Sequence, residues 1–217
     1  MKTIYLVRHG ESEGNALGQY NPIDTRLSKR GEVQAAEIAK RCVHLPIEII
    51  VSSTMPRALQ TAEVIATYID KRIETSASFR ERISATKILG KKRNDPEAVA
   101  VIQASRENFH VPGWHYEDGE NFEDLKQRAL EGLGYLSKRP EDNILVVSHG
   151  FFMYIIAAAV IFGADLTAQE CLHIIEGFGE LENTALTVVK YRDEDRPKGS
   201  SPWQLRVWND HAHLGQL

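Results

Sequence analysis

Two histidines, His9 and His149, each close an apolar run that ends in His-Gly. The runs are Ile4-Tyr5-Leu6-Val7-Arg8-His9-Gly10 and Ile144-Leu145-Val146-Val147-Ser148-His149-Gly150. An imidazole able to act as a nucleophile, beside Arg8 and ahead of the polar Glu11-Ser12-Glu13-Gly14-Asn15, is what phosphoryl transfer requires. A third run, through Val51, Ser52 and Ser53, leads into Pro56-Arg57 and puts an arginine in the first turn of a predicted helix. Free backbone N–H groups and the positive end of the helix dipole favour a phosphate there. An arginine at that place is electrostatically unfavourable unless an anion offsets it.

For these residues to meet, the runs must be parallel strands whose carboxyl ends open on one crevice. Residues 3–7, 48–52, 143–148 and 184–191 read as strands, with 204–208 as a further strand at an edge. Ser28 is the expected N-cap of a helix with Val33, Ala36, Ala39 and Val43 on its inner face. Thr54 and Pro56 are the expected cap and first turn of a helix that buries Leu59, Ala62, Ile65 and Ile69. Asp95-Pro96 starts another, carrying Val99, Ile102 and Phe109, and Phe122, Leu125, Ala129, Leu133 and Leu136 repeat at helical spacing. The alternation predicts a doubly wound, mostly parallel α/β sheet with helices on both faces. One domain over residues 1–217 is expected, with a small helical insertion at about 79–120 as a lid that sets substrate selectivity. Residues 193–202 (DEDRPKGSSP) read as a surface loop.

Composition narrows the function classes. Of 217 residues 42% are hydrophobic and 26% charged, an ordinary globular balance, and the net charge of -4 gives no general affinity for nucleic acid or anionic membranes. Residues 151–163 (FFMYIIAAAVIFG) fall short of the roughly 18 apolar residues of a membrane span and predict a buried helix. The N-terminal run is too short for a signal-peptide core, and Cys42 and Cys171 form no CxxC pair. Reduced thiols and a cytoplasmic location are the expectation. No motif specifies an oligomeric state. The pairs His211/His213 and His110/His115 lack the further ligands of a zinc site, so no metal is expected. The first strand is not followed by GxGxxG, which excludes a dinucleotide-binding oxidoreductase.

Taken in order along the chain, the motifs resemble the histidine phosphatase superfamily, whose branches include phosphoglycerate mutases. The matching segments are Arg8-His9-Gly10-Glu11-Ser12 with Asn15, and Leu27-Ser28-Lys29-Arg30-Gly31-Glu32-Val33-Gln34-Ala35. Ser52-Ser53 through Arg57-Ala58 to Gln60-Thr61-Ala62, Val147-Ser148-His149-Gly150 and Leu181-Glu182-Asn183-Thr184 follow, then Asn209-Asp210 with His213-Leu214. The resemblance implies that His9 is a nucleophile forming a phosphohistidine that water then hydrolyses. Arg8, Asn15, Arg57, His149 and Gly150 would surround the phosphoryl group, the guanidinium forks donating paired hydrogen bonds. Two arginines and a histidine offset the phosphate charge, so no cofactor is expected. Phe79-Arg80-Glu81-Arg82 resembles the family's Leu-x-Glu position and nominates Glu81 as proton donor. The chain departs from the family downstream, where residues 83–90 read ISATKILG instead of a Gly-x-Trp-Glu-Gly-like segment.

The expected activity is hydrolysis of a small phosphorylated metabolite. A phosphoglycerate mutase shares the pocket, but mutases of this family tend to be longer, and the modest insertion favours hydrolysis. A protein phosphohistidine phosphatase would be shorter. A catalytically silent binding protein of the same fold would have lost His9, Arg57 or His149, and all three are present. Lys87, Lys91, Lys92 and Arg93 are either contacts for a second anionic group or a solvated basic loop.

Overall fold

The strands that carry the motif residues stand side by side in one sheet. The computed structural model describes residues 1–192 and 201–215, so the loop expected at 193–202 lies mostly outside the described residues. β1 (Lys2–Arg8) leads to a single helical turn, α1 (Glu13–Ala16), then α2 (Lys29–Cys42), β2 (Ile49–Ser52), α3 (Pro56–Ile69) and a short β3 (Ile73–Thr75). α4 (Pro96–Glu107), α5 (Phe122–Ser137), β4 (Asn143–Ser148), α6 (Gly150–Phe162) and α7 (Ala168–Gly177) follow, and β5 (Leu186–Tyr191) and β6 (Trp203–Asp210) close the sheet. The strand order is β3-β2-β4-β1-β5-β6. The first four strands are parallel and the last two antiparallel, which is the mostly parallel α/β sheet the sequence predicts.

Side-chain alternation along the strands builds two cores. Ile4, Leu6, Ile49, Val51, Ile144 and Val146 face α5, α6 and α7. Tyr5, Val7, Ile50, Leu145 and Val147 face α2 and α3. Both faces being covered explains why these strands read as continuous apolar runs. Each such fully buried aliphatic side chain contributes about 1.5–3 kcal/mol. Among the described residues no helix is long and apolar enough to cross a membrane. α6 is instead wrapped by protein, with Phe152, Met153, Ile155, Ile156 and Ala157 to Val160 buried.

Register decides where the site forms. Arg8 pairs with Ser148 and Ser52 with Val147, so β1, β2 and β4 end level with one another. His9, Ser53 and His149 are the next residue after each strand. His9 N–H donates to Ser148 O at 3.0 Å and Ser53 N–H to Val147 O at 2.9 Å, extending the ladder to the tips.

Several local expectations are corrected. In α2 the buried face is Gly31, Gln34, Ala35, Ile38, Ala39 and Cys42, while Val33 and Val43 are 49% and 53% exposed. A tight contact fixes this rotation: a Cβ at Gly31 would lie 2.0 Å from Glu11 O. Ser28 does cap α2, its side chain accepting from Gly31 N–H. Thr54 does not cap α3; it is exposed, and the N-cap is Met55 with no side-chain cap bond, Pro56 occupying the first turn as expected. Ser53 Oγ takes the neighbouring role by accepting from Met55 N–H at 3.2 Å. α4 buries Ala98 and Val101, not Val99. β3 is too short for periodicity to reveal. α7 was not anticipated either; it opens with a capping box in which Thr167 and Glu170 exchange hydrogen bonds.

Candidate active site

His9 sits at the floor of a cavity of about 430 Å³ above the strand tips and is 2% exposed. Its Nδ1 lies 2.6 Å from Gly10 O, which can only accept, so Nδ1 carries the hydrogen and Nε2 keeps its lone pair. Arg57 Nε donates to that Nε2 at 3.3 Å. Burial, then the Arg57 and Arg8 charges, push the His9 imidazole well below its ordinary range, against a smaller opposing effect of the Gly10 hydrogen bond. These effects favour the neutral imidazole, whose free Nε2 lone pair is what a nucleophile requires.

The loop carrying His9 is fixed by groups that also appear in the motifs. Gly10 N–H donates to Thr61 Oγ1 at 3.1 Å, Glu11 N–H to Gln34 Oε1 at 2.8 Å, and Asn183 Nδ2 to His9 O at 2.9 Å. A Cβ at Gly10 would stand 2.5 Å from Gly31 O, so the loop and α2 touch through backbone. These positioning residues were not among the expected site residues, although Thr61, Gln34 and Asn183 lie within the recognised segments.

Two arginines converge on His9 without ion-pair partners among the described residues. Among the described residues Arg57, 2% exposed, reaches only His9, Pro22 O at 3.4 Å and Met55 Sδ at 3.3 Å. Arg8 Nη1 donates to Leu181 O, while its Nε is buried without a hydrogen-bond partner among the described residues. Burial lowers both guanidinium pKa values. A buried, unpaired cation costs several kcal/mol, which a bound anion offsets. Gly150 makes the room: a Cβ there would lie 3.2 Å from Arg8 Nε. His149, fully buried with its ring centroid 5.0 Å from that of His9, meets Ser53 Oγ through Nε2 at 2.8 Å, and its Nδ1 has no partner. Burial first, then Arg57, His9 and Arg8, hold it too well below the ordinary histidine range.

Asn15 lines the same cavity. Its Oδ1 accepts from Ser12 N–H at 3.3 Å in the α1 capping box, which turns the amide nitrogen to other uses. Glu81 also lines the cavity. Its carboxylate accepts from Phe152 N–H at 2.9 Å, Phe151 N–H at 3.2 Å and Arg82 N–H at 2.9 Å, docking it on the first turn of α6. The site residues expected from the sequence are thus brought together.

Other carboxylates are engaged elsewhere. Glu11 accepts from Ser28 Oγ at 2.6 Å and faces Arg30 at 3.6 Å. Glu120 makes a two-pronged pair with Arg128 at 2.9 and 2.8 Å. The basic segment divides: Lys87 pairs with Glu117 at 2.7 Å and Lys91 with Glu97, while Arg93 lines the cavity. His115 pairs with Asp124 at 2.8 Å, and His213 meets Thr184 Oγ1 at 3.1 Å. Among the described residues no three His, Cys, Asp or Glu side chains are grouped to hold a metal.

The chain and its fold have known relatives. The family model for the histidine phosphatase superfamily (branch 1) matches residues 4–210, and the chain belongs to that family. A metal-independent phosphoserine phosphatase of Arabidopsis thaliana is 27% identical over 99% of this chain and 84% of its own. A probable phosphoglycerate mutase, GpmB of Citrobacter koseri, is 30% identical over 99% of this chain and 95% of its own. Among solved structures, a mycobacterial glucosyl-3-phosphoglycerate phosphatase with VO3 superposes with a TM-score of 0.78 at 22% identity, over 97% of this chain and all of that one. A phosphoserine phosphatase mutant of Entamoeba histolytica with phosphoserine gives 0.76 at 24%, over 99% and 100%. Since the mutase-named relative is covered nearly end to end, chain length does not separate hydrolysis from mutase activity, contrary to expectation.

Proposed function

We propose that this chain is a phosphomonoester hydrolase that acts on a small phosphorylated metabolite through a phosphohistidine on His9. The observation that carries the reading is a buried His9 whose Nδ1 is held by Gly10 O and whose Nε2 meets Arg57, beside two arginines with no ion pair among the described residues. In the first step Nε2 forms a bond to phosphorus as the ester P–O bond breaks, and the leaving oxygen takes a proton from Glu81. Water then attacks the phosphohistidine, Glu81 takes its proton, and phosphate departs with His9 restored. Arg8, Asn15, Arg57, His149 and the Gly150 backbone hold the phosphoryl oxygens throughout, supplying positioning and charge stabilisation.

The relatives named as phosphatases support hydrolysis, and the mutase-named relatives give the second reading. Rapid quench of the wild type with labelled substrate traps acid-labile, base-stable phosphate, and His9→Ala abolishes both trapping and turnover. An active His9→Ala enzyme overturns the reading. Phosphate release independent of added bisphosphoglycerate assigns hydrolysis; dependence on it, with phosphate returned to the substrate, assigns the mutase. Residues 79–120 form the lid of the single domain. Cys42 and Cys171 are free and buried, and two unpaired thiols accord with a reducing cytoplasm.

A further inference from the structure

Two more arginines face the cavity without a carboxylate of their own. Arg82 follows Glu81, and its guanidinium lies over the Phe151 ring, 4.1 Å from the centroid. Among the described residues its side chain makes no hydrogen bond or ion pair, and burial lowers its pKa against the weaker favourable effects of Glu81, Tyr20 and Glu120. Both of those carboxylates are already docked, Glu81 on α6 and Glu120 on Arg128. Stacking on an aromatic face fixes the planar group while leaving its N–H edge to donate.

Arg93 comes from the insertion, on a strap zipped to the loop after α1. Tyr20 N–H donates to Lys91 O at 2.9 Å, Gly90 N–H to Tyr20 O at 2.8 Å, and Arg93 N–H to Gly18 O at 2.8 Å. Gly18 turns there at φ +64°, a conformation that glycine adopts without strain. Tyr20 also packs on Ala85, Ile88, Ala98 and Val101, so the strap is anchored to a small core of its own. The exposed Arg93 side chain lines the cavity and has no ion-pair partner among the described residues. Of the other acids lining the cavity, Asp118 is held by Thr86 N–H at 2.9 Å and by the Thr86 hydroxyl, and Glu180 lies exposed.

Arg8 and Arg57 flank the nucleophile, so one phosphoryl group uses them. Arg82 and Arg93 are then unmatched by any group of an otherwise neutral ester. We propose that Arg82 and Arg93 make this cavity selective for phosphomonoesters bearing a second anionic group, a carboxylate or another phosphate. The inference rests on the hydrolase reading and deepens it. Arg82 receives the second anion from a fixed stack, and Arg93 closes on it from the strap; neither touches the reacting phosphorus.

The test compares kcat/KM within matched pairs: 3-phosphoglycerate against glycerol 3-phosphate, and fructose 1,6-bisphosphate against fructose 6-phosphate. The wild type should favour the doubly anionic member of at least one pair by about tenfold or more, and the favoured pair tells carboxylate from phosphate. Arg82→Gln and Arg93→Gln should each collapse that ratio, mainly through KM of the doubly anionic substrate. A general structural fault lowers both members together and leaves the ratio, which overturns the assignment, as does a wild-type ratio near one in both pairs. Arg82→Lys keeps the charge without the planar stack and should retain part of the preference. If no ester is hydrolysed, the hydrolase reading fails. Calorimetric binding of 3-phosphoglycerate and glycerol 3-phosphate to the wild type then decides the anion preference alone, equal affinities overturning it.

Discussion

Arg57 Nε lies 3.3 Å from His9 Nε2, so the guanidinium proposed to hold the phosphoryl group touches the atom proposed to attack it. That contact adds to burial in favouring the neutral imidazole and engages its lone pair before any substrate arrives. Arg57→Lys keeps one charge but loses the fork that serves His9 and a phosphoryl oxygen together. The expected outcome is a fall in kcat/KM of more than about tenfold, or about 1.4 kcal/mol of transition-state stabilisation. Steady-state kinetics within twofold of wild type would remove Arg57 from the site.

Glu81→Gln preserves size and an acceptor for the α6 amides but cannot donate the carboxyl proton. Alkyl phosphates, with poor leaving groups, should slow by about 10²–10⁴-fold, and nitrophenyl phosphate far less. The comparison is made on the rate of phosphoenzyme formation, so that hydrolysis of phosphohistidine does not mask it. Equal losses for both esters would leave Glu81 a docking role at α6 and direct the search to Asp118 and Glu180, which share the cavity.

Acid should weaken the fold before it reaches the carboxylates. His213, partly buried beside Arg41, has its pKa lowered by burial and by that charge to about 4. Its unfolded value is about 6.5. Between these values the unfolded chain binds more protons than the native one, so stability rises with pH across that window. The His213 contribution is therefore present above about pH 6.5, declines as pH falls, and levels off below the folded value of about 4. His9 and His149 are shifted the same way and add to the decline. Asp210 and Glu141, each lowered to about 2, lose their contributions only below the ordinary carboxylate range of about 4. Urea midpoints measured from pH 7 to 4 should fall steadily, and His213→Asn should flatten part of the slope. A flat wild-type profile over that range would contradict the burial of these histidines.

Gly31→Ala should damage the fold and the site together. The new methyl would meet the Glu11 backbone O at 2.0 Å, with no flexible side chain to yield. A loss of about 1–3 kcal/mol is expected by urea denaturation, the usual effect of overpacking. Because Glu11 follows the His9-Gly10 loop, kcat should drop as well. Gly134→Ala, whose Cβ would meet nothing within 4 Å, is the matched control and should be neutral or slightly stabilising in its helix.

Much of the site was legible in the chain because strand tips are local. His9, Arg57 and His149 each stand one to five residues beyond an apolar run, and a run buried on both faces announces itself without knowledge of its neighbours. The family motifs likewise name residues whose spacing is fixed by one turn: Gly31 with Gln34, or Arg57 with Thr61. What the sequence could not state was rotation and register. The burial of Ala35 and Ile38 in place of Val33 and Val43 follows from a backbone contact between Gly31 and Glu11, twenty residues apart. The level ends of β1, β2 and β4 arise from hydrogen bonds between strands, and these alone bring Ser53 to His149 and Arg57 to His9. Charge partners were equally hidden: Lys87 and Lys91 look like Arg93 in a basic run, yet only the folded insertion places carboxylates on the lysines and turns Arg93 to the cavity. Local patterns determined the chemistry available to this protein, and packing between distant segments decided which of its charges were left free to bind a substrate.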